Sequence, residues 1–166
     1  SNLGRGSCLT VKVPYGKAEH IQPQRTLRSQ KPIHAGMTLL CVDDVNDNLD
    51  ALEALLSRWG VQCVRFTSGA EALAWAAENP PVDGMLLDYQ LGTQANGEPE
   101  PDGIQLAQQL RQLWQEEVPG ALITAVREAE LKEQARQQQL QFLAKPLKPA
   151  QLKSLLQVLQ RAKAAR

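Results

Sequence analysis

From Met37 onward the chain alternates short apolar runs with longer amphipathic ones, and no other feature constrains its fold as strongly. The runs "MTLLCV", "VQCVRF", "VDGMLLD", "GALITA" and "LQFLA" are short and nearly continuous in apolar character, which predicts five buried strands. Between and after them lie "NDNLDALEALLSRWG", "SGAEALAWAAENPP", "GIQLAQQLRQLWQEE", "REAELKEQARQQ" and "KPAQLKSLLQVLQRAKAA". In the first of these, Leu49, Leu52, Leu56 and Trp59 recur at helical spacing and Gly60 stops the helix. Ser68 is a candidate N-cap for the second, and the double proline terminates it. Five strands alternating with five helices predict an α/β fold: a doubly wound, five-stranded parallel sheet with helices on both faces. A chain of 166 residues accommodates one such core and an appendage, but not two comfortable cores.

In open parallel sheets the functional groups gather beyond the carboxyl ends of the strands. Here those ends carry Asp43 and Asp44 on the first strand, Asp88 on the third, Thr124 on the fourth and Lys145 on the fifth. Carboxylates brought within about 4 to 5 Å repel by roughly 3 to 4 kcal/mol per pair at an effective dielectric near 20, so the group needs positive charge. An all-oxygen acidic set without His or Cys selects a hard cation, and Mg²⁺ suits a site that keeps waters and leaves room for phosphate oxygens. Lys145 adds a second positive charge. A carboxylate so flanked is ionised at neutral pH and can attack a phosphoryl group, with Thr124 donating a hydrogen bond to the transferred group.

The segments "VDDVNDN", "LLDYQL", "LITA" and "FLAKPL", in this order and at these intervals, resemble the receiver (response-regulator) domain of two-component signalling. The resemblance covers about Met37 to Leu159 and implies the flavodoxin-like receiver fold. It also implies that Asp88 is the phosphoacceptor and that Asp44 binds Mg²⁺ directly, with Asp43 assisting through water. The backbone carbonyl of Gln90 would complete the metal's protein ligands, Thr124 would be the switch hydroxyl, Lys145 the phosphate partner, and Pro146 would follow a cis peptide bond. Phe142 matches the aromatic switch position; lacking a hydroxyl, it would signal only by a change of packing. The sequence departs from the family pattern after Asp88. In place of a short Met-Pro-containing turn, "YQLGTQANGEPEP" intervenes before Asp102 and Gly103, and this 91–101 insertion could overlie the site or bulge into solvent. The low entropic cost of long loops favours solvent.

Overall charge is balanced, with 18 basic and 18 acidic residues, which gives no argument for nucleic acid or membrane partners. The balance hides an asymmetry: residues 1–36 hold six basic residues against Glu19 alone, and the remainder holds 12 basic against 17 acidic. "LGRGSCLTVKVPYG" in the first part resembles the last strand of the ATP-binding domain of sensor histidine kinases. The expected organisation is therefore a kinase remnant at 1–16, a linker at 17–36 and a receiver at 37–166. The resemblance implies a parent hybrid histidine kinase, of which this chain holds a phosphoacceptor and lacks the kinase core. The implied partner is a histidine kinase dimerisation and phosphotransfer domain, or a histidine phosphotransfer protein, with Asn46, Asn48 and Leu49 as candidate contacts. No apolar run reaches membrane-spanning length and no signal-peptide region opens the chain, so a cytoplasmic fragment of a parent that could itself be membrane-anchored is expected.

Simpler readings stand beside these. Asp44 or Asn46 could serve only to cap the first helix. The tryptophans Trp59, Trp75 and Trp114 fit packing positions, His20 and His34 fit a solvated linker, and Cys41 and Cys63 fit small buried residues. A degenerate receiver acting only in docking would have no need of the full acidic set with Thr124 and Lys145. A Mg²⁺-dependent aspartyl-phosphate hydrolase of the haloacid dehalogenase type would carry a second acid where "DYQ" has Gln90. A flavodoxin-like binding module would carry a phosphate-cradling loop where this chain has acids.

Overall fold

The computed structural model describes residues 36–93, 100–126 and 128–164, together with Thr10 and Lys12. The chain divides into two units, Ser1–Gln30 and Lys31–Arg166, and every element below belongs to the second. Apart from Thr10 and Lys12, the expected kinase remnant, and nearly all of the expected linker, with His20 and His34, lie outside the described residues.

The order is β1 (Met37–Val42), α1 (Asn46–Ser57), β2 (Val61–Phe66), α2 (Gly69–Glu78), β3 (Gly84–Asp88), α3 (Gly103–Trp114), β4 (Gly120–Thr124), α4 (Ala129–Gln137), β5 (Leu140–Ala144) and α5 (Pro149–Ala164). The strands form one parallel sheet in the order β2-β1-β3-β4-β5, so the order of winding reverses between β1 and β3. Strands β3 and β4 are buried at every residue, because helices cover both faces and no alternation with solvent is required.

Each sheet face has its own core. Leu40, Val42, Met85, Leu87 and Leu122 point toward α2, α3 and α4, where they meet Ala72, Leu106 and Leu110. Leu39, Cys41, Leu86 and Ile123 point the other way, toward Leu49, Leu52 and Leu56 of α1 and Leu152, Leu156 and Leu159 of α5. The tryptophans pack at the edges of these cores, and Trp114 Nε1 also donates to the carbonyls of Ala76 and Asn79 at 3.1 and 3.0 Å.

Several helix ends depart from the sequence reading. Ser68 caps α2, accepting from the Glu71 amide at 3.2 Å. Neither Asp44 nor Asn46 caps α1: the N-cap is Val45, and no side chain bonds to the helix end from that position. Helix α3 stops at Trp114, short of the expected Glu117, because Gln115 turns into the left-handed region at φ 52° and sends its amide back to Arg111 and Gln112. At its start, Asp102 and Gln105 form a reciprocal capping box. Leu49 is buried against the sheet and is not available as a partner contact.

Candidate functional site

The strand ends are held by backbone bonds that continue the ladders one residue beyond each strand. The Asp43 amide donates to the Phe66 carbonyl, the Tyr89 amide to Ile123, and the Lys145 amide to Thr124 at 2.8 Å. These bonds bring Asp43, Asp44, Asp88, Thr124 and Lys145 to one edge of the sheet. Asp43, Asp88 and Thr124 are buried, at 6, 6 and 1% exposure, whereas Asp44 faces solvent. The three carboxylates offer one oxygen each within 4.8 Å of one another.

Lys145 Nζ bridges the two buried acids, 2.8 Å from Asp43 Oδ2 and 2.7 Å from Asp88 Oδ2. Its side chain keeps about a quarter of its surface exposed. The remaining Asp43 oxygen, Oδ1, accepts from the Val45 amide at 3.0 Å and from Asn48 Nδ2 at 2.9 Å. Sequence reasoning placed Asn48 among partner contacts and missed this role. The available signal was its position within the first turn of α1, directly after the acid pair.

Burial pushes the Asp88 carboxyl above its ordinary range, against the opposing pull of Lys145 and of a backbone hydrogen bond from Gln90. Burial would lower Lys145, but its hydrogen bonds to Asp43 and Asp88 outweigh that and hold it above its ordinary value. One ammonium thus serves three carboxylates, and the site carries excess negative charge. Thr124 Oγ1 accepts from the Val126 amide at 3.0 Å, which leaves the hydroxyl proton to donate elsewhere. The Lys145–Pro146 peptide bond is cis. Phe142 lies half-buried on β5 with Lys132 Nζ 5.4 Å from its ring centre.

The donor set fits a hard divalent cation. It is made only of oxygens, two of its carboxylates are fixed by the protein, and the third is open to solvent, where metal-bound waters would lie. Gln90, two residues after Asp88, is exposed, and its backbone N–H helps to hold the Asp88 carboxyl down. The neck of the 91–101 insertion is also close. Leu91 anchors in the core, and a Cβ on Gly92, which has φ +76°, would stand 3.2 Å from Asp44 Oδ2. The Glu100 amide returns to the Gly92 carbonyl at 3.2 Å. Residues 94–99 of the insertion, on which the two expected courses turn, lie outside the described residues.

A parallel sheet with this strand order, bearing an acid pair, a third acid, a threonine and a lysine at its carboxyl edge, defines a receiver-type signalling domain. The sequence profile of the response regulator receiver domain matches residues 39–157, and the chain belongs to that family. It is 31% identical over 137 residues to the sensor histidine kinase GacS of Pseudomonas protegens, covering 79% of this chain and 13% of that protein. A two-component response regulator from Clostridium difficile superposes with a TM-score of 0.64 at 21% identity, covering 75% of this chain and 96% of that one. The chemotaxis protein CheY4 of Vibrio cholerae superposes with a TM-score of 0.59 at 23% identity, covering 75% and 97%. This chain is thus a receiver domain of two-component signalling with the fold expected from its sequence. Among the described residues, no helix is long and apolar enough to cross a membrane.

Proposed function

We propose that this receiver takes a phosphoryl group from a phosphohistidine onto Asp88 in a Mg²⁺-dependent reaction. The observation that carries the reading is Lys145 Nζ bridging Asp43 and Asp88 within a three-carboxylate cluster that has too little positive charge of its own. Asp43, Asp44, Asp88 and the Gln90 carbonyl would hold the cation, which when bound supplies charge neutralisation to the acids and the phosphoryl oxygens. An Asp88 carboxylate oxygen attacks phosphorus, the bond from phosphorus to the donor imidazole nitrogen breaks, and an aspartyl phosphate forms. Lys145, already 2.7 Å from Asp88, is placed to follow a phosphoryl oxygen, and the free Thr124 proton to donate to another. Phe142 would then repack as the threonine moves.

The partner is read as a histidine-bearing helix. An apolar groove of about 510 Å³, formed by Ala51, Leu52 and Leu55 of α1 and by Pro146 and Leu147 after β5, runs to Asp43 and Lys145 at the site itself. A helix laid there by its apolar face would bring a histidine to Asp88. The likeness to GacS supports a parent hybrid histidine kinase, with 1–16 as a kinase remnant, 17–36 as linker, and a cytoplasmic location for this part.

The test is intact-mass spectrometry after incubation with acetyl phosphate, with and without Mg²⁺, on the unmutated chain and on Asp88→Asn. One Mg²⁺-dependent phosphoryl adduct, absent from the variant, is expected. A folded, Mg²⁺-binding chain that takes no adduct would favour a docking-only receiver. An adduct on Asp88→Asn would overturn the site.

A further inference from the structure

Both oxygens of Asp43 are engaged within the protein, and one of the groups that engage them, Asn48, has no part in the proposed phosphoryl transfer. Asp43 Oδ1 accepts from the Val45 amide at 3.0 Å and from Asn48 Nδ2 at 2.9 Å. Its Oδ2 accepts from Lys145 Nζ at 2.8 Å and, at 3.2 Å, from the same Asn48 Nδ2. An ionised carboxylate only accepts hydrogen bonds and has about four lone-pair sites, so these contacts fill it. The same rule fixes Asn48, which must turn its NH2 rather than its carbonyl oxygen to the acid. By contrast, Asp44 faces solvent, and Asp88 gives Oδ2 to Lys145.

Burial shows which partner depends on this bond. Asn48 is exposed, and water could serve its carboxamide, whereas Asp43 is 6% exposed and has no such substitute. Lys145 divides itself between Asp43 and Asp88, so Asn48 is the side-chain donor given to Asp43 alone. It is the third residue of α1, five positions after the acid, and the helix carries it to the same place whenever the first turn forms.

From this arrangement we propose that Asn48 is a positioning residue that keeps Asp43 from binding a cation directly, and so sets the preference of the site for Mg²⁺ over the larger Ca²⁺. The inference rests on the reading of the acidic edge as a Mg²⁺ site. With both oxygens engaged, Asp43 meets a cation through metal-bound water. That suits Mg²⁺, which dehydrates reluctantly and takes about one or two carboxylates directly. Ca²⁺ takes about six to eight oxygens and gains from each carboxylate that binds it without water between. Removal of Asn48 Nδ2 takes a contact from each Asp43 oxygen and leaves the carboxylate free to turn toward the cation. A further direct carboxylate favours Ca²⁺, so discrimination between the two ions should narrow on the order of tenfold, an effect of the size that hydrogen-bond partners of metal ligands commonly have.

The experiment titrates the metal-free full chain with Mg²⁺ and, separately, with Ca²⁺, reading Kd from backbone amide NMR shifts. Four chains are compared: unmutated, Asn48→Ala, Asp43→Asn and the double variant. The ratio of the Ca²⁺ Kd to the Mg²⁺ Kd should fall about tenfold in Asn48→Ala. Added to Asp43→Asn, the same substitution should leave the ratio where it was, because Asn48 acts through the Asp43 carboxylate. An unchanged or widened ratio in Asn48→Ala, whatever its metal-free Tm, would reduce Asn48 to a contact that builds the start of α1 and overturn the proposal. An equal fall in the Asp43→Asn background would also overturn it, since Asn48 would then act by another route. An unmutated chain that binds neither cation would overturn the Mg²⁺ reading itself and this inference with it, an outcome visible before any variant is compared.

Discussion

At Asp88 two demands of the proposed reaction meet: the carboxylate would have to be buried enough to exclude bulk water and charged enough to attack. Burial, with the neighbouring charge of Asp43, raises its carboxyl above the ordinary aspartate range, and Lys145 only partly opposes this. A raised carboxyl pKa means the folded state holds the proton more tightly than the unfolded state, so the ionised group lowers stability once pH passes through the folded value. Asp88→Asn should therefore stabilise the metal-free chain at about pH 7, and the gain should disappear by about pH 3, where unfolded aspartate is also protonated. Urea unfolding midpoints at the two pH values check this; a loss of stability at neutral pH would show that the Lys145 contact dominates instead. Lys145→Met has the opposite sign, because it leaves Asp43 and Asp88 without their shared cation. The side chain is partly solvated, so the expected loss is on the order of 1 to 2 kcal/mol at neutral pH, measured in the same way. The five strand-end residues were legible because a parallel sheet sends them all to one edge. Asn48 was not, because its bond to Asp43 depends on the phase at which α1 starts, which no residue type signals when the N-cap is Val45.

The elements bear on the site through close packing at glycines. A Cβ on Gly103, the first residue of α3, would lie 2.3 Å from the Asp88 carbonyl oxygen and 2.7 Å from Leu122 Cδ1. The first obstacle is backbone and cannot rotate away, so Gly103→Ala must push α3 off the end of β3. The expected cost is about 2 to 3 kcal/mol, with slower acetyl phosphate labelling because the displaced carbonyl belongs to Asp88, the proposed phosphoacceptor. Gly84→Ala is the comparison: its Cβ would meet Leu159 Cδ1 at 2.7 Å and Leu39 Cδ2 at 3.0 Å, both ends of flexible side chains, at the far end of the same strand. It should cost less and leave labelling unchanged; equal effects on labelling from both variants would remove the argument. Strands were readable because they are short apolar runs, four of which open on or directly after a glycine. Helix ends were less so. Gln115 and Gln139 both take positive φ, at 52° and 54°, and glutamine carries no side-chain preference that announces such a turn.

Across the whole receiver unit, a cation bound at the acidic edge would be felt as global stability, since residues at the ends of β1 and β3 would supply its ligands and both are central strands buried under helices on each face. A ligand that binds only the folded state adds RT ln(1 + [L]/Kd), about 2.7 kcal/mol when present at a hundredfold its Kd. For a unit of this size that corresponds to a rise in Tm of several degrees. The gain should track Mg²⁺ concentration logarithmically and should be far smaller for Ca²⁺, whose preferred six to eight ligands at longer distance suit three carboxylate oxygens poorly. Asp44→Ala removes the solvent-facing carboxylate proposed as a ligand without touching the Lys145 bridge, so it should leave the metal-free Tm close to that of the unmutated chain and flatten the Mg²⁺ response. Thermal unfolding across a Mg²⁺ series, with EDTA as the zero point, separates these cases. A flat response in the unmutated chain would mean that Lys145 alone neutralises the site, and a response preserved in Asp44→Ala would mean that the cation is held elsewhere.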